Sequence, residues 1–367
     1  MASRPVLPID DLLKPISGEN PAGSDPRGDH SPSSPYYSVK EARKAARAAE
    51  RQYMFDRDDG EAHTHWRVVA EVAPSVLEHQ AKDLELASWL TEALVRRYGF
   101  QGLRDGFKLI RGLVERYWEE LYPLPDEDGL ATRVAPLAGL NGEGTEGVLI
   151  APIRNIPITD GNDPGPFSYW QYQQVLEIER LVDAEARAER AAKLEFGKDD
   201  IERAVSNSHP QFYIDIRDDI AEAIADYKAI DAILTNNCGS SGAPPCRNII
   251  NILEECLGAI NHLAKDKLPL ASEPSQETDT TESIVELTHV AQRNVDGIKT
   301  REEAFRRLAE ISNYFLETEP HSPISYILRR AVKWGSMPLE HLIGELIPDP
   351  SAREHFSQLT GVTINDD

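Results

Sequence analysis

Apolar residues recur every three or four positions through most of this chain, the spacing of one face of an α-helix. Trp66, Val69, Ala70, Ala73, Val76 and Leu77 make one such stripe, and Leu84, Ala87, Leu90, Thr91, Leu94 and Val95 make a second. Arg96-Arg97-Tyr98 before Gly99 supplies a basic last turn and a glycine stop. Leu103, Phe107, Ile110, Leu113, Val114 and Trp118 predict a third helix, ended by Pro123 and Pro125. Further helices are expected over 169–190, 199–207, 211–235 and 247–263, and Lys40 to Gln52 is alanine-rich helix material with little apolar face.

The stretches between are of other kinds. Residues 1–36, rich in Pro, Gly, Ser and Asp, predict an irregular arm packed onto later segments of the chain. Positions 54–64 are polar and predict a loop. Val148 to Ile158, β-branched with two prolines, predicts a short strand or an extended arm. Positions 236–245 form a Gly/Ser/Pro loop, and 268–282 has the composition of a flexible linker. The fold class expected is all-α, as multi-domain helical bundles. The expected divisions are an N-terminal domain (1–160), a middle domain (161–267), the linker (268–282) and a C-terminal module of three or four helices (283–367).

The C-terminal module holds the most informative stretch. Pro320 stops the helix before it, Ser322 is a good N-cap, and Pro323 sits at a first helical position that needs no N–H. Glu319 and His321 complete this corner as capping and hydrogen-bonding groups. Ile324, Ile327, Leu328, Ala331 and Val332 then recur at helical spacing, with Arg329, Arg330 and Lys333 off the stripe. So small a module needs a partner surface. We expect self-association through Ile324, Ile327, Leu328, Val332 and Trp334, rimmed by Tyr326, Arg329 and Arg330. Trp334 reads equally as a core residue or as an interface anchor.

Composition narrows the function. With 40% hydrophobic residues the chain is ordinary globular material, and no run approaches the roughly 18–20 apolar residues of a membrane helix. A net charge of −23 argues against nucleic acid or anionic lipid as partner. Cys238, Cys246 and Cys256 form no CxxC pair and fit a reducing compartment, and Met1 to Asp11 lacks the apolar core of a secretory signal, so the expected location is the cytoplasm.

Motifs of chemistry are weak. Gly142-Glu143-Gly144-Thr145-Glu146-Gly147 matches GxGxxG, but an extended segment is expected after it and Glu143 and Glu146 would stand where phosphate should, so it predicts a loop turn. Glu286-Leu287-Thr288-His289 is half of a di-iron motif without its second half. Glu319 and His321 have no nucleophile beside them. No zinc spacing, nucleophile elbow or phosphate loop is present. We expect no enzyme activity, metal or cofactor; a hydrolase on a helical scaffold is the rival from another class, and a monomeric adaptor a further one. Lys82-Asp83-Leu84-Glu85, at a helix start, suggests core packing with a surface ion pair, or a docking edge.

Several segments together resemble one family. They are Ile16-Ser17-Gly18-Glu19-Asn20-Pro21-Ala22-Gly23, Trp66, Lys82-Asp83-Leu84, Trp89-Leu90-Thr91, Gly99, Gly102-Leu103, Tyr117-Trp118-Glu119, Tyr122-Pro123, Asp128-Gly129 with Arg133, Glu319 to Tyr326, and Trp334-Gly335. In order and spacing they resemble the TssA proteins of the bacterial type VI secretion system, with their ImpA-related N-terminal domain. The resemblance implies a cytoplasmic, non-enzymatic assembly factor whose C-terminal domain forms a homo-oligomeric ring. It implies contacts with baseplate, inner tube, spike, sheath or membrane-complex proteins, and a place at the inner-membrane-associated apparatus without insertion. It also implies the shorter class, associated with the baseplate end.

Overall fold

The computed structural model describes residues 2–31, 33–56, 60–161, 163–268, 301–318 and 323–335, with a few isolated positions beyond. The chain divides into two compact units, residues 1–275 and 276–367. Both are helical, and among the described residues only isolated bridges replace β-strands.

The first unit is built around α4 (Leu84–Tyr117). Its apolar positions are buried on nearly every side, so neighbours must cover it all round. One cover is the hairpin of α2 (Pro35–Asp56) and α3 (Gly60–His79). Helix α2 turns Tyr36, Val39, Ala42 and Ala46 inward, and the small alanines let the backbones close up. The other cover is α10 (Pro210–Cys238), followed by α11 (Arg247–Leu263). Arg104 pairs with Asp219, and Arg111 with Asp226 at 2.9 Å. Both pairs stand at the same sequence offset, 115 residues, so the second half of α4 and α10 run parallel in register. Phe107 lies between those pairs with its ring 4.5 Å from that of Tyr227. The buried core runs from Leu7 to Ala264, so the expected 160/161 division passes through it.

Helix α4 is bent at Gly99, whose φ of 57° and ψ of −134° no helix accommodates. The expected stop is there, but a second helix starts at once. A side chain at this φ would be strained, and its Cβ would also meet Ile156 at 3.0 Å.

The N-terminal arm packs as expected and contains a short helix, α1 (Ile9–Leu12), and a 3-10 turn (Pro26–Gly28). Val6 and Leu7 donate their backbone N–H groups to Asp105, while the Ser3 backbone N–H and hydroxyl donate to Asp219.

Three expected elements are corrected. The 54–64 loop is helical except at 57–59, which lie outside the described residues: α2 reaches Asp56 and α3 starts at Gly60. Of the described side chains, at 60–64, only Ala62 is buried, and the polar ones lie on the solvent side of the first turn of α3. The Val148–Ile158 segment is not extended; it contains α6 (Ile150–Arg154). Pro152 falls in the first turn, where no N–H is needed, and Ile150 and Ile153 are buried. The expected 169–190 helix is two, α7 (Tyr169–Glu179) and α8 (Ala184–Ala191), because Asp183 caps a new start by accepting from the Glu185 N–H. Helix α5 (Leu130–Asn141) was hidden by Pro136 and Gly139, and α9 (Lys198–Asn207) completes the unit.

The second unit, as described, is a hairpin of α12 (Arg301–Thr318) and α13 (Pro323–Gly335). Ser312 donates its hydroxyl to the Ser325 carbonyl at 2.7 Å, both residues buried. A Cβ on Gly335 would sit 2.1 Å from the Phe305 ring. Residue 305 opposite 335 and 312 opposite 325 make the pair antiparallel, and the small residues set its closeness. The 268–282 linker beyond Leu268 lies outside the described residues, as do Glu286–His289 and Glu319, Pro320, His321 and Ser322.

Candidate functional site

Two regions carry the residues singled out in the sequence. The first is where the arm, the start of α4 and the chain after α4 converge. Lys82 donates its backbone N–H to the Ala22 carbonyl, Tyr122 donates to Lys82, and Leu84 donates to Tyr122. The Tyr122 hydroxyl donates to the Gly23 carbonyl at 3.3 Å, and Asn20 reaches that hydroxyl at 3.4 Å. Segments some sixty and a hundred residues apart in sequence are thus tied into one knot.

Lys82 and Asp83 are both fully buried, as core packing requires and a docking edge through these two residues does not allow. The Lys82 ammonium donates to the carbonyls of Leu12 at 2.7 Å and Leu77 at 2.8 Å. Burial pushes its pKa down to about 8, with Glu78 opposing. Asp83 caps α4 by accepting from the Leu86 N–H at 2.9 Å and pairs with Arg27 at 2.7 Å. Burial lifts its carboxyl above the ordinary range, against the pull of Arg27. Arg27 also holds Glu85, which accepts from the Tyr36 hydroxyl.

Arg133 is buried and spreads its guanidinium over the carbonyls of Trp118, Glu119 and Pro123. It thereby satisfies acceptors left open where α4 ends, and it lies over the Trp118 ring at 5.2 Å. Trp89 is buried against Tyr36, their rings 5.6 Å apart. Tyr122 is buried and Pro123 half-buried; Asp128 alone of the group stands exposed, in the loop before Gly129 and α5. These motif residues hold the fold together. Arg27, which the sequence reading passed over, belongs to the same network, and its spacing carries no signal of it.

The second region is α13. Tyr326 and Ile327 are exposed, at 58% and 62%, while Leu328, Val332 and Trp334 are half-buried. The apolar stripe is thus split between cover by the hairpin and open solvent. Arg329 donates to Asn313 at 3.3 Å, and Arg330 lies over the Trp334 ring at 5.0 Å. The side chain of Ile324 lies outside the described set. On α12, Ile311 and Tyr314 are also exposed, at 45% and 62%.

Among the described residues, no three His, Cys, Asp or Glu side chains stand together as a metal would need. Burial, helped by Asp231, raises the Cys246 thiol to about 11, and burial raises Cys238 and Cys256 as well, which keeps them protonated. The GxGxxG stretch is a loop between two helices; Glu146 pairs with Arg154 at 2.8 Å. Among the described residues no helix is long and apolar enough to cross a membrane.

Comparison with known proteins gives a consistent set of likenesses. Residues 13–142, which span the knot, match the family described as ImpA, N-terminal, type VI secretion system. The chain is 24% identical to type VI secretion system component TssA1 of Pseudomonas aeruginosa strain PAO1 over 352 residues, 94% of this chain and 96% of that protein. It is also similar to a solved N-terminal domain, including the conserved ImpA_N region, of the TssA component from Burkholderia cenocepacia. That likeness has a TM-score of 0.59 at 25% identity and covers 72% of this chain and 96% of the other.

Proposed function

We propose, from its likeness to the TssA family of type VI secretion components, that the chain is a member of that family and a non-catalytic assembly factor. In this reading residues 283–367 associate with further copies into a closed ring, and residues 1–160 recruit other components of the machine. The candidate partners are its baseplate, tube, spike, sheath and membrane-complex proteins, met in the cytoplasm or at the inner-membrane-associated apparatus.

One observation carries the reading: each helix of the α12–α13 hairpin presents large apolar side chains to solvent, Ile311 and Tyr314 on one, Tyr326 and Ile327 on the other. A surface of this kind favours removal from water, by about 25 cal/mol for each Å² covered. Repeating one modest contact around a ring multiplies its effect without new chemistry.

Native mass spectrometry tests this. The intact protein should appear at a discrete multiple of its 40.9 kDa chain mass. Ile327→Asp, at an exposed position, should shift the population to single chains without loss of helix content. Wild-type protein that stays single-chain at high micromolar concentration would favour the monomeric adaptor instead.

A further inference from the structure

A cleft of about 900 Å³ opens in the first unit between α2, the start of α3, the bend of α4 and α6. Of the segments that carry the family resemblance, only Trp66 and Gly99 line it. Its walls bring together Arg47 and Arg51 of α2 with Arg96 and Arg97 of α4, four guanidiniums against the carboxylates of Glu50 and Glu146. A second cleft of about 500 Å³ adjoins it at Arg47 and Val148, and its lining adds Arg27 and Arg43 together with Glu85 and Glu92. In a chain with a net charge of −23, a concave surface this rich in arginine is out of keeping with the rest.

The arginines are unequally engaged. Arg96 is held by Glu50, which also accepts from the Trp66 indole, and Arg43 is held by Glu92. Arg47, Arg51 and Arg97 make no ion pair with any described residue. Two nitrogens of Arg97, Nε and Nη1, are fully buried and lack any hydrogen-bond partner. A buried donor left unpaired is costly, and an incoming acceptor would relieve it. Burial, together with the nearby charges of Arg43, Arg96 and Arg51, lowers the pKa of Arg47 against the pull of Glu92. Positive charge here is therefore crowded and short of counter-charge.

Below the arginines the lining is apolar: Trp66, Val95, Val148, Pro152 and Ile156. Arg43, Arg47 and Arg51 step along α2 four residues apart, about 6 Å per step along the helix axis. An extended peptide presents every second side chain to the same side at a repeat of about 6.6 Å. Carboxylates at alternate positions would meet the arginine row, and apolar residues between them would face the floor.

We propose that this groove is a docking site for an extended acidic segment of a partner protein, one that alternates Asp or Glu with apolar residues. The proposal gives the recruiting half of the assembly reading a location and rests on that reading only in taking the occupant to be a protein.

The test uses the full-length protein and a fluorescein-labelled synthetic peptide alternating Glu or Asp with Leu or Phe, read by fluorescence anisotropy at low ionic strength. Binding should saturate, weaken as salt rises, and fall about tenfold with Arg97→Gln and more with Arg47→Glu combined with Arg51→Glu. Circular dichroism checks that each variant is folded; if the double variant is not, the exposed Arg51→Glu alone should still lower affinity severalfold. Unchanged binding in folded variants overturns the proposal, as does equal binding of the matching Lys–Leu peptide. Displacement of the peptide by a lower concentration of a single-stranded oligonucleotide also overturns it, by assigning the groove to phosphates. Native mass measured on the same samples keeps the outcomes apart: loss of peptide binding with oligomers intact spares the ring, and binding by single chains spares the groove.

Discussion

Lys82 shows how a side chain of surface type comes to serve as an internal pin. Its ammonium is enclosed and faces two carbonyls, with no carboxylate among its hydrogen-bond partners. In the unfolded chain it titrates near its ordinary 10.5, and in the folded protein near 8. Below pH 8 it is charged in both states, and the folded state bears the desolvation cost. Between those values the unfolded chain binds more protons, so stability rises with pH. Relative to Lys82→Met, which has no such titration, the wild type should gain on the order of 3 kcal/mol across that window. Denaturant melts at a series of pH values check it; a difference that stays flat or falls as pH rises would refute the assignment. No pattern in the sequence announces this residue's role. A lysine beside an aspartate at a helix start is ordinary on a surface, and only the carbonyls of Leu12 and Leu77, brought in from elsewhere, make it a buried pin.

At the level of helices and turns, the parts visible in the sequence were those whose apolar residues face one neighbour. The 247–263 helix and the stripe of α3 are of that kind, whereas α4 was visible although it is buried on nearly every side. What escaped were elements whose local chemistry contradicts their state. Pro136 and Gly139 conceal α5, and Pro152 with its β-branched neighbours makes α6 look extended. The α12–α13 hairpin shows the converse, a small-residue contact whose meaning needs the partner helix. Gly335→Ala places a methyl group within 2.1 Å of the Phe305 ring, and overpacking of this kind costs about 1–3 kcal/mol. Amide hydrogen exchange in α12 and α13 should speed up by tenfold or more in that variant. Adding Phe305→Leu should restore most of the protection; equal exchange in all three proteins would dismiss the contact.

For the molecule entire, sequence reading reached the fold class and the likeness to TssA proteins, because eleven short segments keep their order. It did not reach the arginine groove, since Arg47 and Arg97 are distant in the chain and meet only after α2 folds over α4. Net charge sets a further expectation. Copies bearing −23 each repel one another when brought together. Self-association should therefore tighten as ionic strength rises from ~10 to ~150 mM, the screening length shrinking from about 30 to about 8 Å. Sedimentation velocity reads this directly, and weakening with salt would mean that attraction between charges holds the copies together. The groove should respond in the opposite sense.

The parallel seam of α4 and α10 also bears on how the protein is made. Arg104 leaves the ribosome 115 residues ahead of Asp219, a lag on the order of ten seconds at common rates of translation. Through that interval Phe107 and its neighbours have no lid, and the nascent chain must either be sheltered or wait uncollapsed until its late partner emerges.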